Sequence, residues 1–249
     1  MLKEERHQVI LNEVHIHNRV LLPDIAEILN VSVDTVRRDV KELHGKKKLK
    51  KVHGGAVSLG FNIYNYKEED IYLHPKKTII AQKAVNLLKD GHVVLIDGGT
   101  TNLEIARMLP PKLKLTFFTP SLPVAMQLLA HPNSRVIFIG GELSKDAQVS
   151  IGGTAITMLA DIRPDICFLG TGYLDPVRGL TEFDWEIIQL KRAMIKAAKK
   201  TVLLTISDKL NSSQRYKTCD LDRMDTLITE LNPDSEELKP FRNDTTHFL

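Results

Sequence analysis

Two cysteines occur in 249 residues, Cys167 inside an apolar run and Cys219 far along the chain. Their separation matches no metal-ligand spacing, so the expectation is of reduced, structural thiols with no zinc site and no disulfide. No metal or cofactor is expected. Uninterrupted apolar runs near the roughly 20 residues needed to span a bilayer are also missing, and the opening MLKEERHQVILNEV is charged and amphipathic. A cytoplasmic protein with no membrane partner is expected. No internal repeat or low-complexity tract is evident, and the formal net charge is only +3.

What is present is unevenly distributed. Between Thr35 and His53 stand eight Lys or Arg (37, 38, 41, 46, 47, 48, 50, 51) against two acids, Asp39 and Glu42, a local surplus larger than that of the whole chain. The remainder is therefore slightly acidic. Such segregation suits a phosphate backbone, where lysine and arginine displace condensed counterions.

The same stretch carries an ordered pattern. Ser32 is a good N-cap, and Val33, Val36, Val40 and Leu43 recur at helical spacing. At about 100° per residue, Arg38 points away from that stripe with Thr35, Lys41 and Asp34 around it, while Arg37 lies on the flank. Arg38 is thus the candidate for a DNA groove and Arg37 for a phosphate. Upstream, Ala26, Ile28, Leu29 and Val31 suggest a short helix opening at Pro23, with Asn30 as the turn and a first helix over 3–16 carrying Val9, Ile10 and Val14. Downstream, the lysine run ending in His53-Gly54-Gly55 reads as a small β-hairpin. A winged helix-turn-helix is expected over 1–57. Its candidate DNA-binding residues are Ser32, Thr35, Arg37, Arg38, Lys41, Lys50, Lys51 and His53. The isolated reading of a basic run, a solvated face, explains the charge but not the capped helix.

Residues 58–74 break the periodicity and read as a linker. From 75 to 249 short apolar β-rich runs alternate with helical patterns. Helices are expected over 76–89, 101–109, 122–130, 154–160 and 183–200, and strands over 92–97, 113–119, 135–139, 165–169, 201–206 and near 225–229. Runs without polar alternation imply a mostly parallel sheet covered on both faces, hence an α/β domain. Ligands of such sheets sit beyond the carboxyl ends of the strands. The segments there include Asp97-Gly98-Gly99-Thr100-Thr101, Gly140-Gly141, Gly152-Gly153, Gly170-Thr171-Gly172 and Ser207-Asp208-Lys209. Glycines let a backbone approach an anion, and threonine hydroxyls with helix N-terminal N–H groups can bind its oxygens. A tight turn with a threonine cap would look the same at any one of these loops. Their recurrence favours a small polar, phosphorylated ligand.

Both halves resemble the DeoR type of transcriptional regulator. In the first, Val31-Ser32, Thr35, Arg37-Arg38-Asp39, Leu43 and His53-Gly54-Gly55-Ala56 are similar to that family's signature. In the second the resemblance rests on Asp97, Gly99-Thr100-Thr101, Gly140-Gly141, Gly152, Gly170, Gly179-Leu180-Thr181, Glu186, Lys191-Arg192-Ala193-Met194 and Lys209. The resemblance implies a ribose-5-phosphate-isomerase-like effector domain, a sugar phosphate as effector, a homodimer or homotetramer, and control of carbohydrate genes, usually by repression at a double-stranded operator. The candidate effector-binding residues are Asp97, Gly99, Thr100, Thr101, Gly141, Gly152, Gly170, Glu186 and Lys209. Two positions depart from the family pattern: Pro120 stands where asparagine is usual, and Ile206 where aspartate is usual. The alternative is a sugar-phosphate isomerase-like enzyme, with Asp97 or Glu186 as base and Lys209 as electrostatic partner. No catalytic residue is assigned.

Overall fold

The computed structural model of the chain describes residues 1–17, 19–59 and 74–249. The chain divides into two compact units, 1–72 and 73–249. Of the segment read as a linker, residues 60–73 lie outside the described residues, and His74 already opens a helix.

The first unit runs α1 (Lys3–His17), β1 (Arg19–Leu21), α2 (Leu22–Leu29), α3 (Val33–Gly45), β2 (Lys50–Val52) and β3 (Gly55–Val57). Ile10, Leu11 and Val14 of α1 meet Leu22, Ile25, Ala26 and Leu29 of α2 and Val36, Val40 and Leu43 of α3 in one core. Pro23 lies in the first turn of α2, which begins one residue earlier than expected. Asn30 ends the helix in the left-handed region at φ 51°, its N–H bonded back to Ala26 O and Glu27 O, and so turns the chain into α3. Ile28 of this helix is exposed.

The basic hairpin forms and is joined by a strand the sequence did not announce. β1 pairs antiparallel with β3, giving the order β1-β3-β2. Arg-Val-Leu is too short to show a period. The two glycines have different tasks: Gly54 takes φ +71° in the turn, whereas a Cβ on Gly55 would stand 2.2 Å from Val20 O of the adjoining strand.

The second unit is built on seven strands: β4 (Val93–Ile96), β5 (Leu115–Thr119), β6 (Ser134–Phe138), β9 (Ile166–Gly170), β12 (Thr201–Leu204), β14 (Thr226–Ile228) and β15 (His247–Phe248). They lie in the order β15-β14-β12-β9-β4-β5-β6, with every neighbouring pair parallel. Leu95, Cys167, Leu169 and Leu203 share a core with Leu159 of α7 (Gly152–Ala160) and with Leu190 and Met194 of α8 (Trp185–Ala197). The alternating residues Val94, Ile96, Phe168, Val202 and Leu204 are equally buried, so both faces are covered. The remaining helices are α4 (His74–Val85), α5 (Thr100–Arg107) and α6 (Leu122–Leu128).

Helix α4 is shifted from the expected 76–89. Beyond Val85 the chain tightens into i→i+3 bonds, Leu87 N to Ala84 O and Leu88 N to Val85 O, before Gly91 at φ +81°. Also unforeseen were the hairpin of β7 (Glu142–Leu143) with β8 (Ser150–Ile151), and a small antiparallel sheet of β10 (Tyr173–Asp175), β11 (Gly179–Glu182) and β13 (Tyr216–Cys219). These strands have two to four residues each, below the length at which alternation registers.

Candidate functional site

In the first unit, Ser32 Oγ caps α3 by accepting from Thr35 N at 3.2 Å and lies 2.9 Å from Thr35 Oγ1. Arg37 pairs with Asp34 one turn back, while Arg38 makes only long contacts, to Asp34 O at 3.4 Å and Thr35 Oγ1 at 3.5 Å. Arg37, Arg38, Lys41, Lys50, Lys51 and His53 are all exposed. Both acids within the basic stretch are neutralised, largely from α1. Buried Asp39 accepts from Arg6 Nε at 2.9 Å and Nη2 at 3.2 Å and lies 3.3 Å from His7 Nε2. Glu42 pairs with Lys3 and Lys46, whose hydrogen bonds draw its carboxyl down to about 2. The charge surplus of the sequence thus becomes an exposed cationic face, and the acids within it serve to fasten α1 to α3.

In the second unit the chain leaves β4 outward through β5 and β6, then returns to build β9, β12, β14 and β15 on β4's other side. The switch point therefore falls between β4 and β9, the place where ligands of such sheets bind beyond the strand ends. Asp97 follows β4 and Gly170 ends β9. Asp97 Oδ1 accepts from Gly98 N at 2.7 Å and Oδ2 from Gly170 N at 3.3 Å, so one carboxylate ties both lips. Burial raises its pKa, against the opposing pull of Lys191 and of the two N–H groups. Gly99, at φ +101°, starts α5, whose first turn holds buried Thr100 and half-buried Thr101. Asn102 Nδ2 bonds Gly98 O at 2.8 Å and braces the loop.

Lys209, in the turn after β12, is buried and donates to Thr171 O at 2.7 Å. Burial and the neighbouring Lys191 push its pKa down to about 8. Lys191 of α8 is itself buried and paired with Glu182 at the end of β11. Burial works against its charge, but Glu182 and Asp97 outweigh that and raise its pKa. A third buried cation, Lys77 of α4, is lowered to about 7 by burial and then by the charge of Lys209. Lys209 thus feels the charge of Lys191 and acts on that of Lys77, and Glu182 pairs Lys191.

Asp97, Gly99, Thr100, Thr101, Gly170 and Lys209 all stand on the segments at the ends of β4, β9 and β12. Gly141 lies beyond β6 and Gly152 at the start of α7, on the hairpin side, where Ser150 N bonds Pro120 O at 2.8 Å. Glu186 sits exposed on the first turn of α8, its N–H capped by Asp184. Glu182, like Asp97, is a buried carboxylate. At the two departures from the family pattern, Pro120 accepts from Ser150 N through its carbonyl and Ile206 is buried, with Asp208 and Glu230 as the acids beside the Lys209 turn.

Lys77 and Glu182 were missed. Lys77 had a signal: it shares the i, i+3, i+4, i+7 stripe with Ile80, Ala81 and Ala84, a lysine on a core-facing stripe. Glu182 had none, because its strand is too short to reveal an inward side.

A helix-turn-helix with a basic wing in a chain that also carries a parallel-sheet unit with glycine-rich loops at its switch point fits a DNA-binding regulator carrying its own sensor domain. The family model for the DeoR-like helix-turn-helix domain matches residues 6–60, and that for the DeoR C terminal sensor domain matches 73–231. The chain belongs to the DeoR family of transcriptional regulators. It is 29% identical to the HTH-type transcriptional regulator GolR of Listeria innocua over 98% of this chain and 96% of that protein. To the HTH-type transcriptional repressor GlcR of Bacillus subtilis it is 30% identical, covering 94% and 90%. Among solved structures, ribose 5-phosphate isomerase A of Methanocaldococcus jannaschii aligns at TM-score 0.40 and 20% identity, over 58% of this chain and 55% of that one. The relatives are named as regulators and repressors, which favours regulation over the isomerase alternative. No helix among the described residues is long and apolar enough to cross a membrane.

Proposed function

We propose that this regulator is a cytoplasmic repressor of carbohydrate genes that releases its operator when a phosphorylated sugar occupies the β4–β9 crevice. The observation that carries the reading is that Lys209, buried in the turn after β12 and bonded to Thr171 O at 2.7 Å, stands at the same sheet edge as Asp97, whose carboxylate ties the ends of β4 and β9. Lys77 and Lys209, held partly neutral by burial, would gain their charge back when an anion arrives. The phosphate would sit between the α5 N–H groups, Thr100, Thr101, Lys77 and Lys209, with Gly99 and Gly170 allowing close approach and Asp97 accepting from sugar hydroxyls. Gly141 and Gly152 would line the far side, and Glu186 would serve at the rim. Residues 1–57 would read DNA as part of a homodimer or homotetramer, residues 58–74 would link them to the sensor domain at 75–249, and the ligand would act through unequal affinity for two arrangements of the recognition helices.

The test is fluorescence anisotropy with DNA from upstream of the chain's own gene, at fixed salt, with and without a panel of sugar phosphates. Sequence-dependent binding relieved by one compound is the expected result. Sequence-independent binding, or indifference to every phosphate, would reject the reading.

Two further results are expected. Lys50→Ala should weaken all duplexes alike and reduce the salt slope by about one phosphate contact; an unaltered slope would remove Lys50 from the backbone contacts. Ligand affinity should also depend on pH. The free-protein pKa values of Lys77, about 7, and Lys209, about 8, mean that both are largely charged below 7 and increasingly neutral above 8. A dianion favours the charged forms, so at pH 8 binding should take up protons and affinity should fall as pH rises further. Calorimetry in buffers of different ionisation enthalpy reads this directly, and proton release would contradict it.

A further inference from the structure

Lys76 and Lys77 are consecutive on α4, and Asp208 and Lys209 are consecutive on the turn after β12. The inner members, Lys77 and Lys209, are buried like charges, and Lys77 feels the charge of Lys209. The outer members attract. Lys76 Nζ pairs with Asp208, donates to Ser207 Oγ at 2.9 Å and meets Glu230 Oε1 at 3.0 Å. Three donors thus find three acceptors, two of them on the turn that carries Lys209. Glu230 fixes the same turn from the other side by accepting from Ser207 N at 3.0 Å and from Ser207 Oγ. Farther along α4, Lys83 Nζ donates to Thr229 O and Leu231 O, both at 2.9 Å, and pins the helix to the chain flanking Glu230.

The geometry points to Lys76 as a positioning residue: with Asp208 and Glu230 it forms a clasp that holds Lys77 and Lys209 against their mutual repulsion, so that two ammonium groups stand ready for one phosphate. This rests on the crevice being the phosphate seat. Two like charges left to themselves would separate, Lys77 swinging out with the N-terminal turn of α4 and Lys209 with its turn. The clasp lies one residue outward on each element, where its side chains are about a third exposed or less, and opposes that separation without touching the ligand itself. Bringing the anchors together in advance removes an ordering penalty from binding.

The repulsion can be tested without any ligand, in the full chain. Lys76→Met should lower the thermal midpoint by about 3 °C, in the range that one lost interaction produces in a chain of this size. In a Lys77→Met background the same change should lower it by clearly less, since no repulsion remains to be held. Equal losses in both backgrounds would overturn the clasp whatever the ligand proves to be.

Affinity is read by calorimetry with inorganic phosphate, glucose 6-phosphate, fructose 6-phosphate and ribose 5-phosphate. Lys76→Met should weaken the best of these about tenfold, and Lys76→Arg, which keeps the cation facing Asp208 and Glu230, should recover most of the loss. Wild-type affinity in Lys76→Met, or an arginine variant as weak as the methionine one, would overturn the positioning role. If no phosphate compound binds the unaltered protein, the phosphate-seat reading fails, and with it the role in binding; the midpoint cycle still decides whether the clasp restrains the two lysines.

Discussion

Arg38→Ala is expected to abolish the preference for cognate over scrambled DNA, a loss of about 1–3 kcal/mol or roughly 5- to 150-fold in discrimination. The reason lies in how differently the two adjacent arginines are held. Arg37 is engaged by Asp34, whereas Arg38 has contacts of 3.4 and 3.5 Å, long enough to be given up readily. Among the described residues no carboxylate pairs with Arg38, so its guanidinium can be redirected to a base edge at little expense. Arg37→Ala should instead weaken all duplexes modestly. The check is the ratio of cognate to scrambled affinity at one salt concentration, and an unchanged ratio would remove Arg38 from readout.

Lys191→Met should be among the most destabilising single changes in the sensor unit, about 3–5 kcal/mol, because it leaves Glu182 buried without its partner. Asp97 would lose the cation that opposes its desolvation, leaving two buried acids in one neighbourhood. The pKa of Asp97, already raised by burial, would then stand further above its unfolded value, so the variant's stability should be retained at low pH and lost as pH rises. Urea unfolding of the full chain at pH 5.5 and 8 reads both effects, and a deficit that grows toward acid would contradict the assignment. Glu182→Gln combined with Lys191→Met should recover much of the loss, since the uncompensated charge is removed.

The parts of the protein legible in its residues are those with a repeated local signature. The cap at Ser32, the stripe Val36–Val40–Leu43 and the turn at Gly54 each depend on neighbours within a few positions, and each is found in place. The parallel strands were legible for the same reason, as short apolar runs between helices. Asp39 shows the limit. In the sequence it is one of two acids diluting a basic stretch, and only the fold brings Arg6 to it across 33 positions.

The candidate ligand site divides in the same way. Asp97-Gly98-Gly99-Thr100-Thr101 is contiguous, so a strand end, a left-handed glycine and a helix start could be read in order. The association of the buried cations could not, although Lys209 was named on its own, since Lys77, Lys191 and Lys209 come from α4, α8 and the turn after β12. Glu182 gains its importance from Lys191 alone.

By itself the sequence determined the two kinds of unit, the basic reading helix and the glycine-rich loops, because helix period, strand hydrophobicity and turn chemistry are short-range properties of the chain. Only the tertiary structure decided which lysines are buried, that Glu182 compensates Lys191 and that Lys76 pairs with Asp208 and Glu230. Burial and Coulomb interaction act between groups that are close in space, and for these residues closeness is set by the order of the strands in the sheet.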